Sequence, residues 1–449
     1  MLGSDNYDGI PVYYVVTDIK YTERDARTDS PAHVTMSLKY VDKYKVENTT
    51  KTWYSDSVKG GITAGEILSN KKYFVMTEEI YKSYGEQFKT FLDYRTQLGE
   101  QFTSTGIGQI SSGYSSNWQS IAKDDLPAKL VCDEKQDQVM GDYIASGMFW
   151  AVGNKKADED DDELMDDDDD LSNLEVPFHP YLYMFDLGKH LYVRMHVSNI
   201  KPYIYDPTIV DKLILPKEVK DLITVLVQGT DDIMEDIIKG KTGGIITVAT
   251  GDPGVGKTLT AEAYSEVVKR PLYVVQSSQL GVNVDKLEEE LKKVLERAVR
   301  WKAILLIDEC DVYVHERGNN LIQNAVVGCF LRVLEYYRGI LFMTSNRDVI
   351  IDDAIMSRAT AWIKYPRPSV PDQIKIWRVL CDQFKIKITD KLIKEIVEEF
   401  DNLSGRDIKT LAKLANLMAK REKKDIDLKL IQHVSQFHSI SRTKKENKD

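Results

Sequence analysis

The chain has 449 residues, enough for two or three domains. Hydrophobic residues make up 42% and charged residues 29%, the balance of a soluble globular protein, and no apolar run reaches membrane-spanning length. The formal charge of −11 is local: eleven acidic residues lie between Asp158 and Asp170, and the remaining charges balance, so no broad basic face for nucleic acid is expected.

Residues 1–205 read as a mixed, β-rich recruitment domain. Ile10 to Ile19 and His33 to Tyr44 are alternating or β-branched, and Glu78 to Arg95 has a helical pattern. Residues 103–118, rich in Ser, Gly and Thr, read as a loop. The acidic run repels itself and cannot bury a core, which predicts a disordered insertion over 155–174. Pro177 to Tyr205 then alternates aromatic and polar residues, as two strands turning near Gly188-Lys189 would, and completes the β domain beyond the insertion. His33, His179, His190 and His196 lack a completing carboxylate or cysteine nearby and read as structural side chains. The four cysteines, Cys132, Cys310, Cys329 and Cys381, show no metal-ligand spacing and read as buried, reduced thiols. With no secretory leader at the N-terminus, a cytoplasmic location is expected.

Helices over Lys217 to Lys239 lead to an apolar, β-rich run, Ile245 to Thr250, and then to Gly251-Asp252-Pro253-Gly254-Val255-Gly256-Lys257-Thr258. This is the phosphate-loop pattern G-x-x-x-x-G-K-[ST] in its strand–loop–helix setting. Its glycines allow backbone N–H groups to turn inward on phosphate oxygens. Asp252, Pro253, Gly254, Val255, Gly256, Lys257, Thr258 and Leu259 are the candidate ATP-binding residues, with Lys257 on the β- and γ-phosphates and Thr258 on Mg²⁺. Some fifty residues on, Ile304-Leu305-Leu306-Ile307 reads as a strand buried on both faces. It delivers Asp308 and Glu309 to the carboxyl end of the sheet, where ligands sit. Asp308 is expected to hold Mg²⁺ and Glu309 to orient and polarise the attacking water, the Walker B arrangement. A third strand, Gly339 to Met343, delivers Asn346, which alone would cap a turn but in this series reads as a water-positioning sensor. Asp285 to Trp301 shows a helical face through Leu287, Leu291, Val294, Leu295 and Ala298. After Pro368 the texture is helical only, with stripes at Ile374, Trp377 and Leu380 and at Leu392, Ile396 and Val397, and a further helix over Gly405 to Lys420. The fold class read here is α/β: a P-loop, doubly wound parallel-sheet core over 206–368, an all-helical C-terminal lid over 369–440 and a charged tail over 441–449, preceded by the β-rich N-terminal domain.

The order GDPGVGKT, ILLIDE, TSN and a helical lid containing LSGRD resembles the AAA+ ATPase family over about Ile209 to Ile440. Under that resemblance Arg406 matches the sensor-2 position that touches the γ-phosphate of its own subunit. Arg358 lies where the family carries an arginine finger for the neighbouring subunit's nucleotide, with Arg347 as the competing candidate. A finger in trans implies a homo-oligomer, with a ring of six favoured. The segments YIYDP, LILP, RPLYVV, DECDVYVHER and FLRVLEYYRGILFMTSNR are similar to a narrower group of such proteins, best known from fungi, with a β domain before the ATPase. The pattern departs from many family members after the second strand, Pro271 to Gln276: Ser277 to Asn283 carries no aromatic, so Leu280-Gly281-Val282 would line a pore and grip weakly. No HExxH motif occurs. The resemblance implies an ATP hydrolase that remodels a protein or protein complex recruited through the N-terminal domain. The Ser357-Arg358 pair and the missing aromatic also fit a DNA-linked loader-type ATPase, and slow turnover would fit an ATP-gated scaffold or switch.

Overall fold

The computed structural model describes residues 2–4, 11–24, 30–42, 45–54, 66, 73–74, 77–111, 118–121, 127–133, 180–228, 244–281, 283–346, 351–400 and 402–437. The acidic stretch 155–174, His179, the predicted helix beyond Gln228, Val282, Arg347 and the tail 441–449 lie outside them. The chain divides into two compact units, Met1–Tyr203 and Ile204–Asp449.

The first unit is built from antiparallel strands. β1 (Leu2–Ser4), β2 (Pro11–Tyr13) and β6 (Tyr73–Phe74) form one small sheet, and β3 (Val15–Thr22), β4 (His33–Asp42) and β5 (Lys45–Tyr54) a meander. Helix α1 (Glu78–Arg95) starts where the Thr77 hydroxyl accepts the Ile80 N–H at 3.3 Å, and it buries Phe91. The remaining strands are β7 (Gln101–Ser104), β8 (Gly108–Ser111), β9 (Trp118–Ile121), β10 (Lys129–Cys132), β11 (Tyr181–Asp186), β12 (Leu191–His196) and β13 (Ile200–Pro202). They form one sheet in the order β13-β7-β10-β11-β12-β8-β9. The strand before the acidic run therefore pairs with the first strand after it, Leu130 opposite Asp186 and Cys132 opposite Met184. Phe91, Phe102, Leu130, Leu182, Met184 and Val193 make the core. The loop expected over 103–118 is corrected at Gly108–Ser111 and Trp118, while 112–117 lie outside the described residues: β8 pairs with β9 from Gly108↔Ile121 to Ser111↔Trp118, and with β12 at Gln109↔Arg194. Ser and Gly have weak strand preference, but pairing on two sides overrides it.

The second unit holds a parallel sheet of β14 (Ile245–Gly251), β15 (Leu272–Gln276), β16 (Ile304–Asp308), β17 (Ile340–Ser345) and β18 (Ala361–Tyr365), in the order β15-β16-β17-β14-β18. Every residue of β14 is buried, as are Ile304 to Ile307 of β16. Each buried aliphatic there contributes about 1.5–3 kcal/mol. The connecting helices are α2 (Lys217–Gln228), α3 (Lys257–Val268), α4 (Ser277–Leu280), α5 (Val284–Arg300), α6 (Asp311–Val314), α7 (Leu321–Leu334) and α8 (Asp353–Arg358). In α5 the stripe of Leu287, Leu291, Val294, Leu295 and Ala298 is buried, while Glu288–Lys292 and Glu289–Lys293 pair at 2.8 Å. The lid comprises α9 (Val370–Phe384), α10 (Asp390–Glu399), α11 (Gly405–Glu422) and α12 (Leu428–Ser435). Ser369, Thr389, Ser404 and Asp427 cap the starts of these four helices. Trp377, Ile396, Ile408, Leu411, Ile431 and Val434 form the lid's own core.

Candidate functional site

Strand register brings the candidate residues to one edge. Thr250 of β14 lies opposite Ser345 of β17, and Ile307 of β16 opposite Met343, so three strands end at one level. The loop leaving β14 turns through Gly251, Gly254 and Gly256 at φ 145°, 81° and 104°. These are backbone conformations that side-chain-bearing residues rarely adopt. Gly256 caps α3, so the loop's N–H groups collect at a helix N-terminus, an anion-binding arrangement.

Lys257 is 5% exposed, and its ammonium donates to the carbonyls of Gly251 and Asp252, each at 2.8 Å. Burial holds its pKa below the usual lysine value, and the nearby Arg406 charge pushes the same way, against the pull of Asp308, Asp252 and Asp311. A buried cation under that pressure is stabilised by an incoming anion. The Thr258 hydroxyl donates to the Asp308 carboxylate at 3.1 Å. Asp308 also accepts from the Thr344 hydroxyl, which in turn accepts the Glu309 N–H at 3.1 Å. Glu309 sits at φ 54°, outside the strand conformation, and this turns its side chain away from the line of β16. Its carboxylate accepts from the Asn346 amide at 3.4 Å. Asn346 is fixed in turn by its own N–H on Asp311 at 3.2 Å.

The lid reaches the same loop. Arg406, in the first turn of α11, donates its N–H to the Gly254 carbonyl at 3.2 Å. A Cβ at Gly254 would stand 2.5 Å from the Arg406 Cβ and 3.0 Å from the Ser404 hydroxyl, so only glycine permits this approach. Lys257, Thr258, Asp308, Glu309, Asn346 and Arg406 are thus brought together. Arg358 is placed elsewhere. At the end of α8 it donates to the Ala354 carbonyl at 3.1 Å and stands 3.7 Å from the Glu335 carboxylate.

Two arginines at or near the site were not singled out by sequence. Arg367, just past β18, donates to the Asp252 carboxylate and, at 2.8 Å, to the Asn402 carbonyl in the lid, so it bridges the phosphate loop and the lid. Arg317 makes a bidentate pair with buried Asp352 at 2.7 and 3.2 Å. Asp352 also caps α8 by accepting the Ala354 N–H at 3.0 Å. Leu280, expected to line a pore, is instead 3% exposed. It closes a one-turn helix that begins with a Gln276/Gln279 capping box.

The donor set suits a magnesium–nucleotide complex. Among the described residues no cluster of three or more His, Cys, Asp or Glu side chains could hold a metal alone. One hydroxyl and one carboxylate converge beside a loop built for phosphate, and Mg²⁺ takes one or two such oxygens plus phosphates and water.

The parallel sheet, the glycine-turned loop and the acid pair two strands away define a P-loop nucleotide-binding module. Residues 247–367 match the model of the AAA family, the ATPase family associated with various cellular activities, so the chain carries an AAA domain. Fidgetin-like protein 1 of Drosophila melanogaster is 28% identical over 181 residues, 38% of this chain and 35% of that protein. The proteasome-activating nucleotidase of Methanococcus vannielii is 27% identical over 188 residues, 38% of this chain and 45% of that protein. The ATP-dependent zinc metalloprotease FtsH 1 of Petrotoga mobilis is 28% identical over 195 residues, 40% of this chain and 29% of that protein. The matched segment spans less than half the length of each of these relatives. A solved chain from the E. coli MS115-1 HORMA:CdnC:Trip13 complex aligns with 53% of this chain and 93% of its own length, at 17% identity and a TM-score of 0.43.

Proposed function

We propose that this chain is a magnesium-dependent ATP hydrolase that remodels a protein or protein complex as a ring oligomer. The observation that carries the hydrolytic part is Glu309, held by the Asn346 amide next to the Thr258–Asp308 pair. Lys257 and the loop N–H groups bind the β- and γ-phosphates. Thr258 and Asp308 are the residues that would hold Mg²⁺, which when bound offsets phosphate charge. Glu309 accepts the proton of the attacking water, and Asn346 keeps that carboxylate aimed. Arg406 closes the lid side of the γ-phosphate, and Arg358 serves the next subunit's nucleotide. Its parking on Glu335 rather than at the phosphate loop supports a role in trans.

Remodelling of proteins is supported by relatives whose names describe proteasome activation and ATP-dependent proteolysis. The absence of an HExxH motif argues against carrying the proteolytic part over to this chain. The separate β unit, Met1–Tyr203, is the proposed recruiting element. The test is phosphate release by the purified chain with ATP and Mg²⁺. Glu309→Gln should lower kcat by about 10²–10⁴, the usual worth of a positioned general base, while binding of a fluorescent ATP analogue persists. Turnover unchanged in that variant rejects the assignment.

A further inference from the structure

The single turn α6 joins two regions that are distant in sequence. At its start, Asp311 accepts from the Ser345 hydroxyl and, at 3.2 Å, from the Asn346 N–H. Two residues on, Tyr313 is 1% exposed, and its ring stacks on Phe330 with centroids 5.2 Å apart. Its hydroxyl lies 2.8 Å from the Ser277 carbonyl and 2.7 Å from the Gly281 carbonyl. These two carbonyls bracket α4. One phenolic proton is shared between them, so the hydroxyl fixes both ends of that turn at once. Burial, with a contribution from Cys310, pushes the phenol up to about 12, so the donor is present throughout the physiological range. A phenylalanine would fill the same space and keep the stack. The buried hydroxyl costs free energy unless it is bonded, so its use here is the fixing of α4.

We propose that Tyr313 is a positioning residue that transmits the state of the hydrolytic centre to the Ser277–Gly281 segment. Asp311 reads the end of β17, where Asn346 holds Glu309, and α6 is too short to bend between Asp311 and Tyr313. A shift of Asn346 on loss of the γ-phosphate is therefore passed to α4 as a rigid displacement. Tyr313 touches no phosphate, and its role rests on the ATPase reading above.

The test is hydrogen exchange of the full-length chain over 277–281, in a Glu309→Gln background loaded with ATP or with ADP. The relay predicts a difference in protection between the two states. Tyr313→Phe should shrink that difference about five-fold, the equivalent of one neutral hydrogen bond, while fluorescent-nucleotide binding and the exchange of β15 stay as before. Asp311→Ala breaks the other end and should collapse the same difference. If Tyr313→Phe raises exchange equally in both states, the tyrosine is merely structural and the proposal is overturned. A nucleotide-loaded parent without any ATP–ADP difference, or an intact difference in Asp311→Ala, overturns it as well. Failure of the parent to bind nucleotide removes the ATPase reading and the relay together.

Discussion

Glycine at positions 254 and 256 serves different purposes, and substitution separates them. At Gly256 an added Cβ meets nothing within 4 Å, so the cost is only that of φ 104°. At Gly254 the same φ penalty is joined by collision with Arg406 and Ser404 of the lid. Gly256→Ala should therefore lose about 1 kcal/mol in thermal unfolding. Gly254→Ala should lose more, and should also weaken ATP-analogue binding by displacing α11. Equal losses in stability and affinity for the two variants would show that the Gly254–Arg406 approach is not what places the lid. Glu309 carries a similar expense, since a non-glycine residue at φ 54° is uncommon. In exchange its carboxylate meets Asn346 instead of following the strand.

Among the elements, α8 is held by a partner 35 residues away along the chain. Its capping residue Asp352 is buried, and burial alone would raise its pKa. The Arg317 side chain, the Ala354 N–H and the Arg317 N–H outweigh that and hold the carboxyl below the usual aspartate range. A depressed folded-state pKa means the stabilisation is fully present above the unfolded value, about 4, and is lost as pH falls through the folded value. Arg317→Met should thus cost the protein a modest share of its stability at pH 7. This is below the full cost of breaking a buried pair, because the arginine is half exposed. The gap in thermal midpoint between variant and parent should close as pH falls through the depressed folded value. A gap that stays constant with pH would assign the loss to packing. Since α8 carries Arg358, the pair also anchors the proposed finger to the chain following the acid pair.

At the scale of the whole molecule, the proposed assembly makes Arg358 useful only to a neighbour. Arg358→Ala should lower turnover by about 10³-fold or more, as removal of an arginine finger does. Mixing that variant with Glu309→Gln should restore part of the activity, because some interfaces then combine an intact acid pair with an intact finger from the adjoining subunit. If two inactive variants stay inactive when mixed, while size measurements show that they co-assemble, the trans role fails. Nucleotide should also raise the thermal midpoint, by the equivalent of about 2.7 kcal/mol at a hundred-fold excess over Kd.

Much of the module was legible because its signals are local. The phosphate loop, the four aliphatics before Asp308 and the helix read from Gly405 each occupy a short stretch whose pattern reflects its own backbone. Gly108–Ser111 was misread as loop because Ser and Gly carry weak preferences, and this strand forms through pairing with β12 and β9. Leu280 was misread because apolar character does not say whether a short loop faces a channel or the core.

The residues alone determined a P-loop α/β module with a helical lid, since sheet burial, glycine turns and helix caps follow from neighbours in the chain. Only the tertiary structure decided which charge meets which. Asp252 finds Arg367 across 115 residues, Asp352 finds Arg317 across 35, and the Tyr313 hydroxyl reaches Ser277 across 36. The physical reason is that a hydrogen bond or ion pair is set by distance and direction in space, and strand order, not spacing along the chain, sets both.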